Sequence, residues 1–355
     1  METAATTETT HRVHVGDARS LPPADDSVSL VVTSPPYPMV EMWDGAFADQ
    51  SPAVREALER DDGAAAFDAM HDLLADAWAE VARVLRPGGI AVVNVGDATR
   101  RIGDTFEQYP NAAAVTNRVR ETGLSSLPGL LWRKPTNSAA KFMGSGTLPP
   151  NAYPTLEHEH LLVFRNGDTR SYPPGDDQRY ESAYFWEERN EWFSDLWEFT
   201  GARQRLADGE GAVLDSALRE RSGAFPLTVP LRLVLMFSTY GERVLDPFWG
   251  TGTTSMAALV AGRDSVGVER ERALVEAFDE QVRTASERSR AVAEERLAAH
   301  REFLADREDP PNYDAEHYEF GVVTKAERRI RLRAVESVER TSEDPHTYRA
   351  IHRPV

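Results

Sequence analysis

The segment Glu242–Glu269, ERVLDPFWGTGTTSMAALVAGRDSVGVE, constrains the fold more than any other part of the chain. It reads as a short apolar strand, a Gly-rich turn, a helix of small and apolar residues, and a second strand ending on an acid. Gly250 and Gly252 permit a tight turn and close backbone approach, and Thr253 and Thr254 can open the helix. A helix N-terminus behind small residues offers free N–H donors to polar or anionic ligand groups. No lysine follows the second glycine, so the turn is not a P-loop and triphosphate hydrolysis is not expected. Glu269 lies seventeen residues beyond Gly252, the Rossmann placement for a carboxylate on ribose hydroxyls. The segment predicts a site for a nucleoside-containing cofactor.

The rest of the chain repeats the alternation of strand and helix, which predicts a mainly parallel sheet. RVHV leads to Gly16-Asp17, and SVSLVV leads to Thr33-Ser34-Pro35-Pro36-Tyr37. Phe67, Met70, Leu74, Trp78, Val81 and Leu85 recur at three- and four-residue spacing, which predicts an amphipathic helix stopped by Pro87-Gly88-Gly89. IAVVNVG follows as a buried strand. LPGLLWRKP and EHLLVFRNG suggest an antiparallel pair at a sheet edge, and one long charged helix is expected from Glu269 to about Asp306. Residues 97–156 and 166–221 are rich in Pro, Gly, Asn and aromatics. They are either insertions that build a recognition surface or irregular segments packed over the sheet. Residues 307–355 show charge clusters and little apolar periodicity, and the sequence assigns them no role.

Composition removes several alternatives. The chain has no cysteine, so disulfides, thiolate metal sites and a cysteine nucleophile are excluded. No apolar run suggests a membrane span, and the opening METAATTETTHRV lacks the pattern of a secretory signal; a cytoplasmic location is expected. Asp and Glu number 58 against 40 Lys and Arg, a net charge of −18, and only Lys134, Lys141 and Lys325 are lysines. That balance fits the solvated surface of a halophile; high-GC codon usage would explain the arginines but less well the acids. It opposes nucleic-acid binding at low ionic strength, an objection that weakens in molar salt because counterion release fades. His158-Glu159-His160 lacks the His-Glu-x-x-His spacing and alternates along a strand, so no metal is expected.

Ser34-Pro35-Pro36-Tyr37 together with Asp246-Pro247-Phe248-Trp249-Gly250-Thr251-Gly252-Thr253-Thr254 resembles the amino-methyltransferases of DNA bases. The order of the two motifs is similar to the circularly permuted β group, and further matching stretches spread over residues 11 to 275. The resemblance implies a Rossmann-like, doubly wound α/β sheet of seven strands, spanning 11–306, with target-recognition segments at about 97–156 and 166–221. It implies S-adenosyl-L-methionine as cofactor and double-stranded DNA as partner, with a cognate restriction endonuclease as a candidate companion. Ser34, Pro35, Pro36 and Tyr37 are then the catalytic residues. The Ser34 oxygen and the Pro35 carbonyl accept the amine hydrogens, and Tyr37 stacks on a base flipped from the duplex. Asp17, Phe225, Asp246, Phe248, Gly250, Gly252, Thr253, Thr254 and Glu269 are expected to bind the cofactor. Arg133, Lys134, Asn137 and Lys141 form a basic patch expected to meet DNA, with Arg100-Arg101 and Lys325–Arg333 as weaker candidates. Phe225 and Asp17 carry equally good structural readings, as core packing and as a loop cap. Trp186, Trp192 and Trp197 read more readily as core than as stacking groups.

Methylation at cytosine C5 needs a covalent cysteine, which this chain lacks. Serine at the head of the first motif resembles the N4-cytosine enzymes, whereas Asp or Asn is commoner in N6-adenine enzymes. Cytosine N4 is therefore the expected target, adenine N6 the alternative, and an RNA or protein amide substrate the alternative of a different class.

Overall fold

The computed structural model describes residues 6–134, 142–145, 147–199, 225–342, 344 and 346–355. Ten strands form its main sheet: β1 (Thr7–Val15), β2 (Val28–Thr33), β3 (Leu85–Val95), β4 (Ser125–Arg133), β5 (His158–Arg165), β6 (Leu196–Glu198), β7 (Arg243–Asp246), β8 (Asp264–Glu269), β9 (Arg333–Arg340) and β10 (Thr347–Pro354). Their spatial order is β6-β4-β5-β3-β2-β7-β8-β1-β10-β9. The five central strands, β3 to β1, are parallel, while β5 and β10 run against their neighbours. The expected doubly wound α/β sheet is present, and wider than the seven strands expected.

The central strands are covered on both faces, as parallel strands must be. All six residues of β2 are buried. Val31 faces the core built on helix α1 (Gly63–Val84) with Met70, Leu74, Trp78 and Val81, while Leu30 and Val32 face the opposite core. The two-residue strand period and the helical repeat thus meet at one layer. Asp62 caps α1 by accepting from the Ala65 N–H at 3.0 Å. The helix ends at Val84, before the Pro-Gly-Gly expected to stop it; those residues begin β3, where its register against β2 shifts. Helix α2 (Asn111–Glu121) lies beside α1 and carries buried Val115 and Val119.

On the other face, α4 (Thr228–Phe237) packs against α5 (Thr253–Ala261), whose nine residues are all buried. Between β5 and α4 comes the short α3 (Trp186–Trp192); Trp192 and Trp197 are core residues. The long helix expected after Glu269 is two, α6 (Arg272–Val282) and α7 (Ala285–Ala305), broken at Arg283-Thr284. β4 and β5 pair antiparallel as expected, but the short β6 lies outside β4 at the edge.

Residues 333–354 supply two of the three extra strands. β10 pairs antiparallel with β1, and β9 closes that side. Across the β1–β10 seam Thr9 Oγ1 bonds His11 Nε2 at 2.9 Å and His352 Nε2 at 2.8 Å, and His11 Nδ1 bonds Ser265 Oγ at 2.9 Å. Burial first, and then the neighbouring His352, pushes His11 down to about 3; burial, Arg333 and Arg263 push His352 down to about 4. Both rings are neutral core groups at ordinary pH.

Candidate active site

β2 and β7 are sequence-distant neighbours, with Leu30 beside Val244 and Val31 beside Leu245. From β2 the sheet continues through β3 on one side; from β7 it continues through β8 on the other. That reversal is where open α/β sheets bind ligands, beyond the C-terminal strand ends. Two side chains pin the strand ends together: Thr33 Oγ1 donates to Asp246 Oδ1 at 2.6 Å. Thr254 Oγ1, from the first turn of α5, donates to the Val32 carbonyl at 3.3 Å. The corner and the Gly-rich loop are thus one site.

The corner carries a polar network fed by three strands. Tyr37 Oη lies 3.0 Å from Ser34 Oγ, accepts from Asn94 Nδ2 at 2.9 Å, and donates to Glu159 Oε2 at 3.1 Å. Asn94 Nδ2 also donates to Glu159 Oε2 at 2.7 Å, and Lys134 Nζ pairs with Glu159 Oε1. Burial first, then the Glu159 charge, pushes the Tyr37 phenol well above its usual range. Asn94 Oδ1 is buried with no protein partner. Gly96 leaves room for this packing: a Cβ there would lie 3.3 Å from both Glu159 Cγ and Tyr37 Cε2.

The loop is shaped by its glycines. Gly250 and Gly252 adopt φ of 58° and 83°, the left-handed region that side chains disfavour. A Cβ on Gly252 would also strike Trp249 and Phe278 at 2.6 and 2.7 Å. Trp249 lies over Gly267 and donates from Nε1 to Ser255 Oγ at 2.8 Å. Glu269 holds the loop from the next strand: Oε2 accepts the Gly250 N–H at 2.8 Å and Oε1 the Glu271 N–H at 2.9 Å. The carboxylate keeps acceptor capacity beyond these bonds, so it can still receive a hydroxyl donor. No side chain caps α5. Asp246 Oδ1 also accepts the Phe248 N–H at 3.1 Å and so holds the start of the loop.

The sequence profile of the DNA methylase family matches residues 28–280, which include both the corner and the loop. The chain belongs to this N6/N4 DNA methylase family. Over 330 residues it is 43% identical to the type II methyltransferase M.MthZI of Methanothermobacter thermautotrophicus, covering 92% of this chain and 90% of that one. Against M.MjaI of Methanocaldococcus jannaschii the identity is 42% over 286 residues, 77% of this chain and 91% of the relative. Among solved structures, a Thermus thermophilus protein described as a DNA modification methylase, complexed with S-adenosyl-L-methionine, is similar at 31% identity. Its TM-score is 0.57, over 79% of this chain and 93% of that one. The cytosine-N4-specific PvuII DNA methyltransferase shares the fold at 17% identity and a TM-score of 0.53, over 76% and 86%. The architecture is that of the class I methyltransferases.

Within the methylase, the expected site residues have the following surroundings. Phe225 belongs to the buried cluster containing Val229, Leu233 and Val244. Thr253 and Thr254 have buried side chains, leaving their backbone N–H groups as what the helix start can offer. Asp17 accepts from Arg19 through both oxygens, at 2.9 and 2.8 Å, which holds its carboxyl down at about 2. Arg133 pairs with Glu198 at 3.4 Å and Glu157 at 3.7 Å, and Lys134 points into the corner network. Asn137 and Lys141 lie outside the described residues. Arg100 pairs with Asp44, Arg329 with Asp177, and Arg331 and Arg333 share Glu181.

Sequence reading missed Asn94 and Glu159. Asn94 is visible as the one polar residue in the apolar run IAVVNV; Glu159 enters the sequence reading only in a metal context. His158 and His160 lie ring to edge at 5.0 Å. Among the described residues the acid and histidine atoms that do converge, within 4.8 Å, belong to Glu187, His300 and Glu327. There both Glu327 oxygens accept backbone N–H groups, and His300 bonds Glu187 and the Gly321 carbonyl.

Proposed function

We propose that the protein transfers a methyl group from S-adenosyl-L-methionine to the N4 amine of cytosine in duplex DNA. The carrying observation is the Thr33–Asp246 bond, which sets the Ser34 corner beside the glycine loop at the switch point. The donor set suits the cofactor: Glu269, at the end of β8 and tied to the Gly250 N–H, keeps acceptor capacity for a ribose hydroxyl beside the glycine loop. Bound there, S-adenosyl-L-methionine would supply an electrophilic methyl group for direct displacement.

An exocyclic amine is a poor nucleophile because its lone pair is delocalised into the ring. Ser34 Oγ and the Pro35 carbonyl, accepting its two hydrogens, favour a pyramidal nitrogen with the lone pair turned out. Pro35 and Pro36 fix the backbone angles, so the acceptors are positioned before substrate arrives. Tyr37 offers its ring face to a base removed from the duplex. Serine at position 34 and the absence of cysteine support an amine of cytosine as the target. Arg133 and Lys134, at the end of β4, are the described members of the proposed DNA-contacting patch. The acidic, lysine-poor composition supports a halophilic setting, so assays belong in molar salt.

The test is transfer of labelled methyl to duplex DNA at high salt, followed by digestion to nucleosides. N4-methylcytosine is expected. N6-methyladenine would overturn the base assignment, and label confined to RNA or protein would overturn the substrate class.

A further inference from the structure

Hydrogen-bond accounting at the corner leads beyond the acceptor role of Ser34. Glu159, ion-paired with Lys134, is an ionised carboxylate and can only accept. Asn94 therefore turns its NH2 toward it, and those two hydrogens go to Glu159 Oε2 and Tyr37 Oη. The phenol hydrogen goes to Glu159, since a charged acceptor is stronger than a neutral hydroxyl. Tyr37 Oη then has one lone pair left, and the Ser34 hydroxyl, 3.0 Å away, can fill it only as donor. Ser34 Oγ, which Asn94 Nδ2 also approaches at 3.5 Å, then has its hydrogen turned to Tyr37 and keeps a lone pair, not a hydrogen, for the substrate amine. A hydrogen directed there instead would occupy the lone pair that must attack.

We propose that Glu159 is a positioning residue for the transfer reaction, and the terminal acceptor of a proton relay running through Ser34 and Tyr37. The proposal rests on the functional reading above. As the amine nitrogen forms its bond to the methyl carbon, the electron pair of the breaking sulfur–carbon bond stays on sulfur and the nitrogen becomes positive. One of its protons passes to Ser34 Oγ, the Ser34 hydrogen passes to Tyr37 Oη, and the phenol hydrogen passes to Glu159 Oε2. The product amine is then neutral, serine and tyrosine are restored, and the carboxylate has become a carboxylic acid. An N-methylated aromatic ammonium is a strong acid, so this transfer runs downhill even to a carboxylate beside Lys134. Glu159 is 15% exposed and Lys134 34% exposed, which gives the proton a route to solvent.

The test compares Glu159→Gln, Tyr37→Phe and the double variant in single-turnover transfer to duplex DNA, with cofactor and DNA affinities measured separately by calorimetry. Glu159→Gln is expected to slow the single-turnover step about a hundredfold or more, the scale of a lost proton acceptor. Both affinities should stay near those of the unaltered protein. Its rate should climb with pH from 6 to 9, as solvent base replaces the relay, while that of the unaltered protein stays flat. The double variant should be no slower than the worse single one, because both remove the same path. Unchanged turnover in Glu159→Gln, a matching loss of cofactor affinity, or additive losses would each overturn the relay. Methylation of adenine N6 by the unaltered protein would overturn the base assignment alone, since the relay serves any exocyclic amine.

Discussion

Asp246 gives the sharpest test of how the two halves of the site are held. It is fully buried between β2 and the glycine loop, and burial pushes its carboxyl up from 3.8 to about 6. Bonds from Thr33 and the Phe248 N–H pull the other way, and the Glu269 charge adds to the rise. An acid whose folded-state value lies above its unfolded value keeps its proton longer when folded. The unfolded chain therefore ionises first, and stability falls as pH rises from about 4 to about 6. A shift of about two units corresponds to about 3 kcal/mol lost at neutral pH. Asp246→Asn removes the ionisation but keeps the acceptor for Thr33 and Phe248. Its NH2 can donate to Thr254 Oγ1, which itself donates to the Val32 carbonyl. Denaturant unfolding at fixed high salt should find the variant about 1–3 kcal/mol more stable than the parent at pH 8. The two should converge near pH 4. A variant equally or less stable at pH 8 would refute the claim that a buried, reluctantly ionised carboxylate joins the strands.

Two further outcomes follow from buried groups. Because His11 and His352 are depressed to about 3 and about 4 from 6.5, their contribution is intact above pH 6.5 and is lost as pH falls toward those values. The melting temperature should drop between pH 6.5 and 4, by a few kcal/mol in stability, and His352→Gln should flatten that limb. In Gly267→Ala, the new methyl would meet Trp249 Cδ1 at 2.1 Å, so the indole must move and carry the loop with it. A cost of about 1–3 kcal/mol is expected, with weaker cofactor binding by calorimetry; unchanged binding would show that the Trp249 seat does not shape the loop.

What could be read in the sequence was what lies continuous in it. The corner and the loop are each a strand followed by a turn of fixed chemistry, so residues, spacing and adjacency were legible together. The network beneath Tyr37 was not, because Asn94, Lys134 and Glu159 come from β3, the end of β4, and β5. A lone polar residue in a strand looks like ordinary alternation until pairing sets it against its partners. Lys134 reads in sequence as a phosphate contact, yet local charge counting cannot show that Glu159 stands opposite it. Phe225, next to the cofactor half in sequence, sits in the buried cluster with Val229 and Leu233, a packing that local sequence does not show. The last two strands were hidden by arginines. In TYRAIHRP, Tyr348, Ala350 and His352 are buried while Arg349 and Arg353 face out, an alternation in which only one inward residue is strongly apolar.

Those strands are part of the main sheet, from which we infer that the catalytic unit extends beyond Asp306. The reading from sequence placed its boundary at Asp306, but residues beyond it bury Val322, Ile330, Leu332, Val335 and Tyr348. At about 1.5–3 kcal/mol for each large apolar side chain, they contribute on the order of 7–15 kcal/mol of burial. That is the scale of a whole domain's stability, about 5–15 kcal/mol. Removing 307–355 would also strip β1 of β10, exposing the N–H row of β1, and leave Ser289 without the Val335 N–H it accepts at 3.1 Å. Since β1 pairs with β8, which ends in Glu269, the damage reaches the loop. A 1–306 fragment should therefore be insoluble or unfolded by circular dichroism and fail to bind cofactor. A soluble fragment with the parent's cofactor affinity would return the boundary to Asp306 and make the last two strands an appendage.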